Sequence, residues 1–354
     1  MHKIIDGPFV WKGSDIVNST DWILPLDARS IDILETGLSK FEAQGLNWQQ
    51  ASKDTFSLEQ LDTFFRHISD ELENGFGLIK ITGLPVERYS DAQLKSIYYA
   101  MMSHIGVPVS QNTSGAVMMA IEDEGKKKSE SYGTVQDAKT GEKFLSSRSR
   151  ALSGGVLRLH TDRCDVVTLL CVRQATSGGI SKLVSAVAIH NEMLKRRPDL
   201  LELLFQDYPR SRFGEESKDI DGYFMLPIFG MCKGKFTTHF SRTYIEASQT
   251  GTTAPRMSDK QWEAMDLLAQ LGEELGFTMA LEPGDIQLLN NHHIFHGRTA
   301  YEDTAELGSG RLLHRIWMAV PNSRQLPAGQ EVLWGTTASG KIRGGIWPKS
   351  GINP

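Results

Sequence analysis

His160-Thr161-Asp162 sets an imidazole and a carboxylate two residues apart. Far downstream, Asn290-Asn291-His292-His293-Ile294-Phe295-His296 adds three more imidazoles within five positions. Two histidines and one carboxylate can grip a divalent metal on one side and leave the other open. Non-heme Fe(II) oxygen chemistry uses that geometry, without soft thiolate ligands. Zinc accepts the same donors, so a zinc hydrolase on the same residues is a second possibility. Fifteen residues beyond His296 comes Arg311-Leu-Leu-His-Arg315, a source of positive charge for an anionic co-substrate.

The elements that must position these groups can be read from periodicity. Residues 154–172 are rich in β-branched and apolar side chains and predict one long strand or two short ones. On a regular strand His160 and Asp162 would share a face and Thr161 would oppose them. Cys164 would also share that face, and reads as a small buried filler. Glu282-Pro283-Gly284-Asp285 is turn chemistry, and the run after it predicts a strand entering a site. If that strand is regular, His292 and His296 point one way and His293 the other; periodicity alone does not choose the ligand. In residues 311–318, Arg311, Leu313, Arg315 and Trp317 alternate with Leu312, His314, Ile316 and Met318, as in a strand covered on both faces. Buried guanidiniums need an anion, and they bind carboxylates through paired hydrogen bonds. The bland alternative is an ion pair with Glu302 or Asp303.

These pieces together resemble the taurine dioxygenase and clavaminate synthase-like (TauD/TfdA) family of Fe(II)/2-oxoglutarate-dependent dioxygenases. The matching residues are His160-Thr-Asp162, Ser177-Gly-Gly-Ile-Ser181, Asn291 five residues before His296, and the Arg311/Arg315 pair. Gly75-Phe-Gly-Leu-Ile-Lys-Ile-Thr-Gly-Leu-Pro85 is similar to the glycine-rich strand near the start of such proteins. The resemblance implies that His160, Asp162 and His296 bind the iron and that Arg311 and Ser181 hold the distal carboxylate of 2-oxoglutarate. Arg315 would contact an acidic substrate group or support the co-substrate. It implies Fe(II), 2-oxoglutarate and O2 as cofactor and co-substrates, with succinate and CO2 released. The outcome would be oxidation, most simply hydroxylation, of an unactivated C–H bond. A carboxylate at Asp162, where halogenases of this kind have a small residue, favours hydroxylation, desaturation or cyclisation. The fold implied is mainly β with α: a double-stranded β-helix (jelly-roll) core with flanking and inserted helices. A non-catalytic, anion-binding barrel is the remaining alternative.

Composition fits a soluble enzyme. The 354 residues are 40% hydrophobic, enough for a large core, and are read as one catalytic domain over 1–354. The formal charge of −5 gives no basic footprint for nucleic acid, and no apolar run reaches membrane-span length. Three cysteines without a CxxC, and no secretory leader, predict a reducing, cytoplasmic setting. The expected partner is a small anionic or amino-acid-like substrate; oligomeric state stays open.

Helices are predicted after Ser57 (to Asn74), from the capping boxes at Ser90 and Ser258, and after Ser185 to a break near Pro198. Tyr223 to Phe229 and Lys235 to Tyr244 read as strands joined at Lys233-Gly234, with Arg242 and Tyr244 within reach of a substrate or on a sheet edge. The polar stretch 122–153 leads into the His160 strand and is expected to act as a lid. The glycine-rich segment Trp334–Trp347 is expected to fold back over the barrel or to form a loose tail.

Overall fold

Strand residues in this chain alternate between two apolar destinations. Along Val166–Arg173, Val166 and Leu170 join one buried cluster while Val167 and Cys171 join another. Ile316 and Met318 part from Leu313 and Trp317 in the same way, as Ile286 and Leu288 do from Leu289. Both faces of these strands are therefore buried, the pattern of a sheet packed between two layers.

The structure is a computed structural model that describes residues 2–125, 134–136, 143–145, 151–212, 222–250, 253–303 and 310–348. Eleven strands make the two main sheets. They are β1 (Ile23–Pro25), β2 (Leu78–Thr82), β3 (Val107–Val109), β4 (Met118–Ile121), β5 (Leu157–His160) and β6 (Val166–Arg173). Then follow β7 (Ser181–Ser185), β8 (Phe277–Met279), β9 (Ile286–Asn290), β10 (Ile294–Arg298) and β11 (Leu312–Ala319). The larger sheet runs β1-β2-β9-β6-β11-β3, with β4 also paired to β11; the smaller runs β8-β7-β10-β5. All neighbours are antiparallel except β1 and β2. Inward residues of the two sheets, among them Leu183, Ile294, Val167, Leu289 and Leu313, share one core. Two facing sheets with strands that are mostly not sequence neighbours make this a jelly roll of the double-stranded β-helix kind.

Helices seal the outer faces. Ala28–Glu42 (α1), Asp62–Asn74 (α2) and Asp91–Ile105 (α3) bury Leu34, Phe41, Phe65, Ile68 and Ile97 against the larger sheet. Ala186–Arg196 (α4) and Asp259–Leu275 (α6) cover Val184 and Phe295 of the smaller one; Arg242–Ser248 (α5) lies between them in sequence. Each such fully buried Leu, Ile or Phe contributes roughly 1.5–3 kcal/mol. The capping boxes form as the sequence predicts: Ser90 Oγ accepts from Gln93 N, and Gln93 Oε1 accepts from Ser90 N. Ser258 and Gln261 do the same, and Ser185 Oγ caps α4 by accepting from Ala188 N. Lys233 (φ 48°) and Gly234 (φ 78°) make the tight two-residue turn between Phe229–Cys232 and Lys235–Thr238.

Two expectations are corrected. The helix expected from Ser57 begins with a separate 3₁₀ turn, Glu59–Leu61, before α2. The strand expected to reach Tyr244 stops at Thr238, because the chain turns into α5, where Arg242 and Glu246 form an i,i+4 pair at 2.7 Å. Most of the expected 122–153 lid lies outside the described residues; those that are described include Ala151 and Leu152, which reach the site. Among the described residues no helix is long and apolar enough to cross a membrane.

Candidate metal and co-substrate centre

His160 is the last residue of β5, and there the chain leaves the sheet. Thr161 N donates to Phe240 O at 2.8 Å, and Phe240 N donates to Thr161 Oγ1 at 3.0 Å, which ties the chain after β5 to the segment before α5. Asp162 therefore does not share a regular strand with His160, contrary to the sequence expectation. It is fixed instead by Asn291, whose Oδ1 accepts from Asp162 N at 3.0 Å while its Nδ2 donates to Cys164 O at 3.0 Å. His296 sits within β10 directly opposite His160 in the ladder. Potential ligand atoms of His160, Asp162 and His296 all lie within 4.8 Å of one another. Asp162 Oδ1 is 3.7 Å from His160 Nε2, and its Oδ2 is 3.6 Å from His296 Nε2.

The other two histidines are settled elsewhere. Residues 291–293 form a turn between β9 and β10, so the predicted continuous strand is interrupted. His292 meets Thr237 Oγ1 at 2.7 Å and Asp165 Oδ1 at 2.9 Å. His293 Nε2 accepts from Arg324 Nη1 at 2.7 Å, and its ring stacks on Phe9. Cys164 is fully buried beside Asn291, in keeping with a filler role.

Protonation at the cluster suits a cation. His160 Nδ1 donates to Arg158 O at 2.9 Å, which leaves the Nε2 lone pair facing Asp162 and His296. Burial, helped by the neighbouring His296, pushes the His160 pKa down to about 4, so its imidazole is neutral at pH 7. Burial would raise Asp162, but the Arg315 guanidinium, 3.7 Å away, and the two histidines outweigh it and hold the carboxyl below its usual range. A neutral imidazole and an ionised carboxylate are the forms a metal needs. Asp162 Oδ2 and His296 Nδ1 are buried and meet no hydrogen-bond donor or acceptor among the described residues, so the donor set fits a metal that would claim the carboxylate.

One cavity runs from this cluster between the sheets, lined by Ser181, Gln287, Arg298, Arg311 and Arg315. Arg311 is 6% exposed, and its Nη1 has no hydrogen-bond partner among the described residues. The suspected ion pair is not formed by its guanidinium: Asp303 accepts from the Arg311 backbone N, at 3.0 Å. The Arg311 guanidinium lies over the Tyr301 ring, 5.1 Å from its centroid. Gly179 (φ +70°) backs it so closely that a Cβ there would stand 3.1 Å from Arg311 Nε. Gly179 is thus required where the turn passes against the arginine, and Gly178 (φ +74°) where it passes against the Ala300 carbonyl. Sequence reading missed Gln287 and Arg298. Arg298 follows His296 by two on the same strand, so period-two alternation could have found it.

Arg315 stands where this cavity meets a second one, which His160, Asp162, Met119, Trp317, Leu333 and Ile346 also border. Its Nε donates to Gln111 Oε1 at 2.7 Å, and its guanidinium covers the Trp317 ring. Tyr244 lines the second cavity, whereas Arg242 is occupied by Glu246 and Asp266 and does not. The C-terminal segment does fold back: Arg343 is held by Asp165 at 2.8 Å, and Ile346 N donates to Ser110 O at 2.7 Å.

A jelly roll that closes a His/Asp/His cluster beside a buried guanidinium with no carboxylate in contact among the described residues fits a dioxygenase of the iron and 2-oxo acid class. The chain belongs to the taurine catabolism dioxygenase TauD, TfdA family, whose model matches residues 40–317. It is an Fe(II)- and 2-oxoglutarate-dependent dioxygenase. Similar curated proteins are the FR-33289 synthase of Streptomyces rubellomurinus, 28% identical over 96% of this chain and 98% of that protein, and the taurine hydroxylase-like protein SAT17 of Stachybotrys chartarum, 26% identical over 84% and 75%. Among solved structures, an asparagine oxygenase complex superposes with a TM-score of 0.62 at 15% identity over 84% of this chain and 93% of its own. The non-heme iron oxygenase OrfP, with Fe and alpha-ketoglutaric acid, gives 0.61 at 13% over 90% and 99%. At such identities the superpositions speak for the fold.

Proposed function

We propose that the protein hydroxylates an unactivated C–H bond of a small anionic or amino-acid-like substrate, acting as one catalytic domain over residues 1–354. The observation that carries this is the shared cavity, with the donor triad at one end, Arg311 lining it and Arg315 at its junction with a second space. His160, Asp162 and His296 would hold Fe(II). Bound there, iron with 2-oxoglutarate and O2 supplies the oxidative decarboxylation that yields succinate and CO2 and oxidises the C–H bond. Arg311 takes the distal carboxylate of 2-oxoglutarate through charge-assisted hydrogen bonds, and the Ser181 hydroxyl adds a further donor. Arg315 keeps Asp162 ionised and presents a cation toward the substrate. Trp317, Leu152 and Leu333 exclude water from the second cavity, so that the substrate's C–H bond is the reductant at hand. The 122–153 stretch serves as the lid, and three unpaired thiols suit a cytoplasmic setting.

The relatives support the substrate class. One neighbour is complexed with hydroxyasparagine and succinate, another with a hydroxyarginine, and a curated relative is described as hydroxylase-like. The deciding experiment adds 2-oxoglutarate to the anaerobic Fe(II) protein and records the visible charge-transfer band, then screens amino acids and organic acids for succinate release. Absence of the band sinks the assignment, and turnover with zinc alone would replace it with a hydrolase.

A further inference from the structure

Arg210 and Arg315 line the second cavity, and Asp162, which faces two histidines and Arg315, is the one carboxylate lining it among the described residues. Arg210 is the unusual member. It lies on the strand Asp207–Ser211, is 0% exposed, and bonds backbone carbonyls and one imidazole, with no carboxylate of the described residues in contact with it. A wholly buried, uncompensated guanidinium is expensive unless its field is used.

Its field is delivered through His239. Arg210 Nη1 lies 2.9 Å from His239 Nδ1, and Nη2 donates to His239 O at 2.8 Å. A guanidinium has hydrogens and no lone pair to offer, so Nδ1 must accept. Burial, reinforced by Arg210 and Arg163, holds the His239 pKa well below the usual histidine range and keeps the ring neutral. The ring's one proton is then on Nε2. His239 is about nine-tenths buried, lines the cavity that holds His160 and Asp162, and its Nε2 meets no protein partner among the described residues. The result is a fixed N–H donor with the Arg210 guanidinium behind it.

We propose that His239, oriented by Arg210, is the anion-recognising donor of the substrate cavity and takes an oxyanion group of the substrate, whether carboxylate, sulfonate or phosphonate. This rests on the assignment of the second cavity as the substrate side of the dioxygenase. His239 would touch the substrate, and Arg210 is a positioning residue that acts through the tautomer it imposes.

The test uses protein loaded with Zn(II), a diamagnetic stand-in, and 2-oxoglutarate to fill the Arg311 side, with ¹⁵N-labelled histidine. Long-range ¹H–¹⁵N spectra should place His239 in the Nε2–H tautomer, and the Nε2–H resonance should shift on titration with acetate, methanesulfonate or methylphosphonate. The anion that shifts it at the lowest concentration identifies the head group. His239→Phe should weaken binding of that anion at least tenfold, and Arg210→Met should release the tautomer. If Arg210→Met does not fold, the wild-type tautomer and His239→Phe decide. An Nδ1–H tautomer, no shift with any of the three anions, or unchanged anion affinity in His239→Phe overturns the proposal. The Fe(II)/2-oxoglutarate band, measured separately on wild type, reports whether the dioxygenase assignment itself has failed.

Discussion

Replacing Arg311 with methionine separates a ligand-binding arginine from a structural one. The guanidinium is buried over Tyr301, backed by Gly179, and no described carboxylate pairs with it. A bidentate carboxylate contact provides two charge-assisted hydrogen bonds, each of about 1.5–3 kcal/mol. Loss of both should reduce 2-oxoglutarate affinity by roughly 3–6 kcal/mol, and at 1.4 kcal/mol per decade that is about 10²–10⁴-fold. Without co-substrate the sign differs. The wild-type protein then carries a desolvated charge with no contacting carboxylate among the described residues, so an unbranched apolar side chain of similar length should leave stability unchanged within about 1 kcal/mol, or raise it. Anaerobic titration of the visible band gives the affinity, and urea unfolding of metal-free protein gives the stability. A structural ion pair would produce the reverse: stability down by about 3–5 kcal/mol, with little change in 2-oxoglutarate binding. That pair of results would refute the assignment of Arg311.

Three more perturbations follow from the site. Asn291→Ala removes the clamp between Asp162 N and Cys164 O and should weaken Fe(II) affinity about 10–100-fold, as loss of a ligand-orienting partner does, measured by competitive metal titration. Gly179→Ala forces a side chain into a positive-φ conformation and against Arg311; it should cost about 1–3 kcal/mol in unfolding and raise the KM for 2-oxoglutarate, with unchanged values refuting the close approach. In metal-free protein, burial first of all brings His160, His292 and His314 down to about 4, below their unfolded value near 6.5. The unfolded chain therefore binds more protons between those limits, so stability should fall as pH drops from 6.5 toward 4. The expected slope between pH 6 and 5 exceeds about 1.4 kcal/mol per unit, one proton's worth, and a flat urea midpoint would contradict it.

Local chemistry carried well from sequence to fold. The Ser90 and Ser258 capping boxes, the Lys233-Gly234 turn and the alternation of Arg311, Leu313, Arg315 and Trp317 against His314, Ile316 and Met318 depend on neighbours within a few residues. What escaped depends on partners far along the chain. The exit of β5 after His160 is imposed by Phe240, and Asp162 is set by Asn291, more than a hundred residues away. The turn that diverts His292 and His293 is stabilised by Asp165 and Arg324. Strand propensity misread 239–244, because the α5 helix is supported by the Arg242–Glu246 and Arg158–Glu246 pairs that only the folded chain assembles. Proximity of the three donor side chains was legible as a family resemblance; spacing alone did not select His296.

The return of the C-terminal segment brings residues from outside the family match to a cavity wall. The stretch that matches the family ends at Trp317, yet Leu333 and Ile346 wall the second cavity, pinned in place by Arg343 on Asp165. Residues beyond the family match therefore share the wall of that cavity with residues inside it. Exchange of the tail between relatives should redirect selectivity while the decarboxylation machinery stays whole.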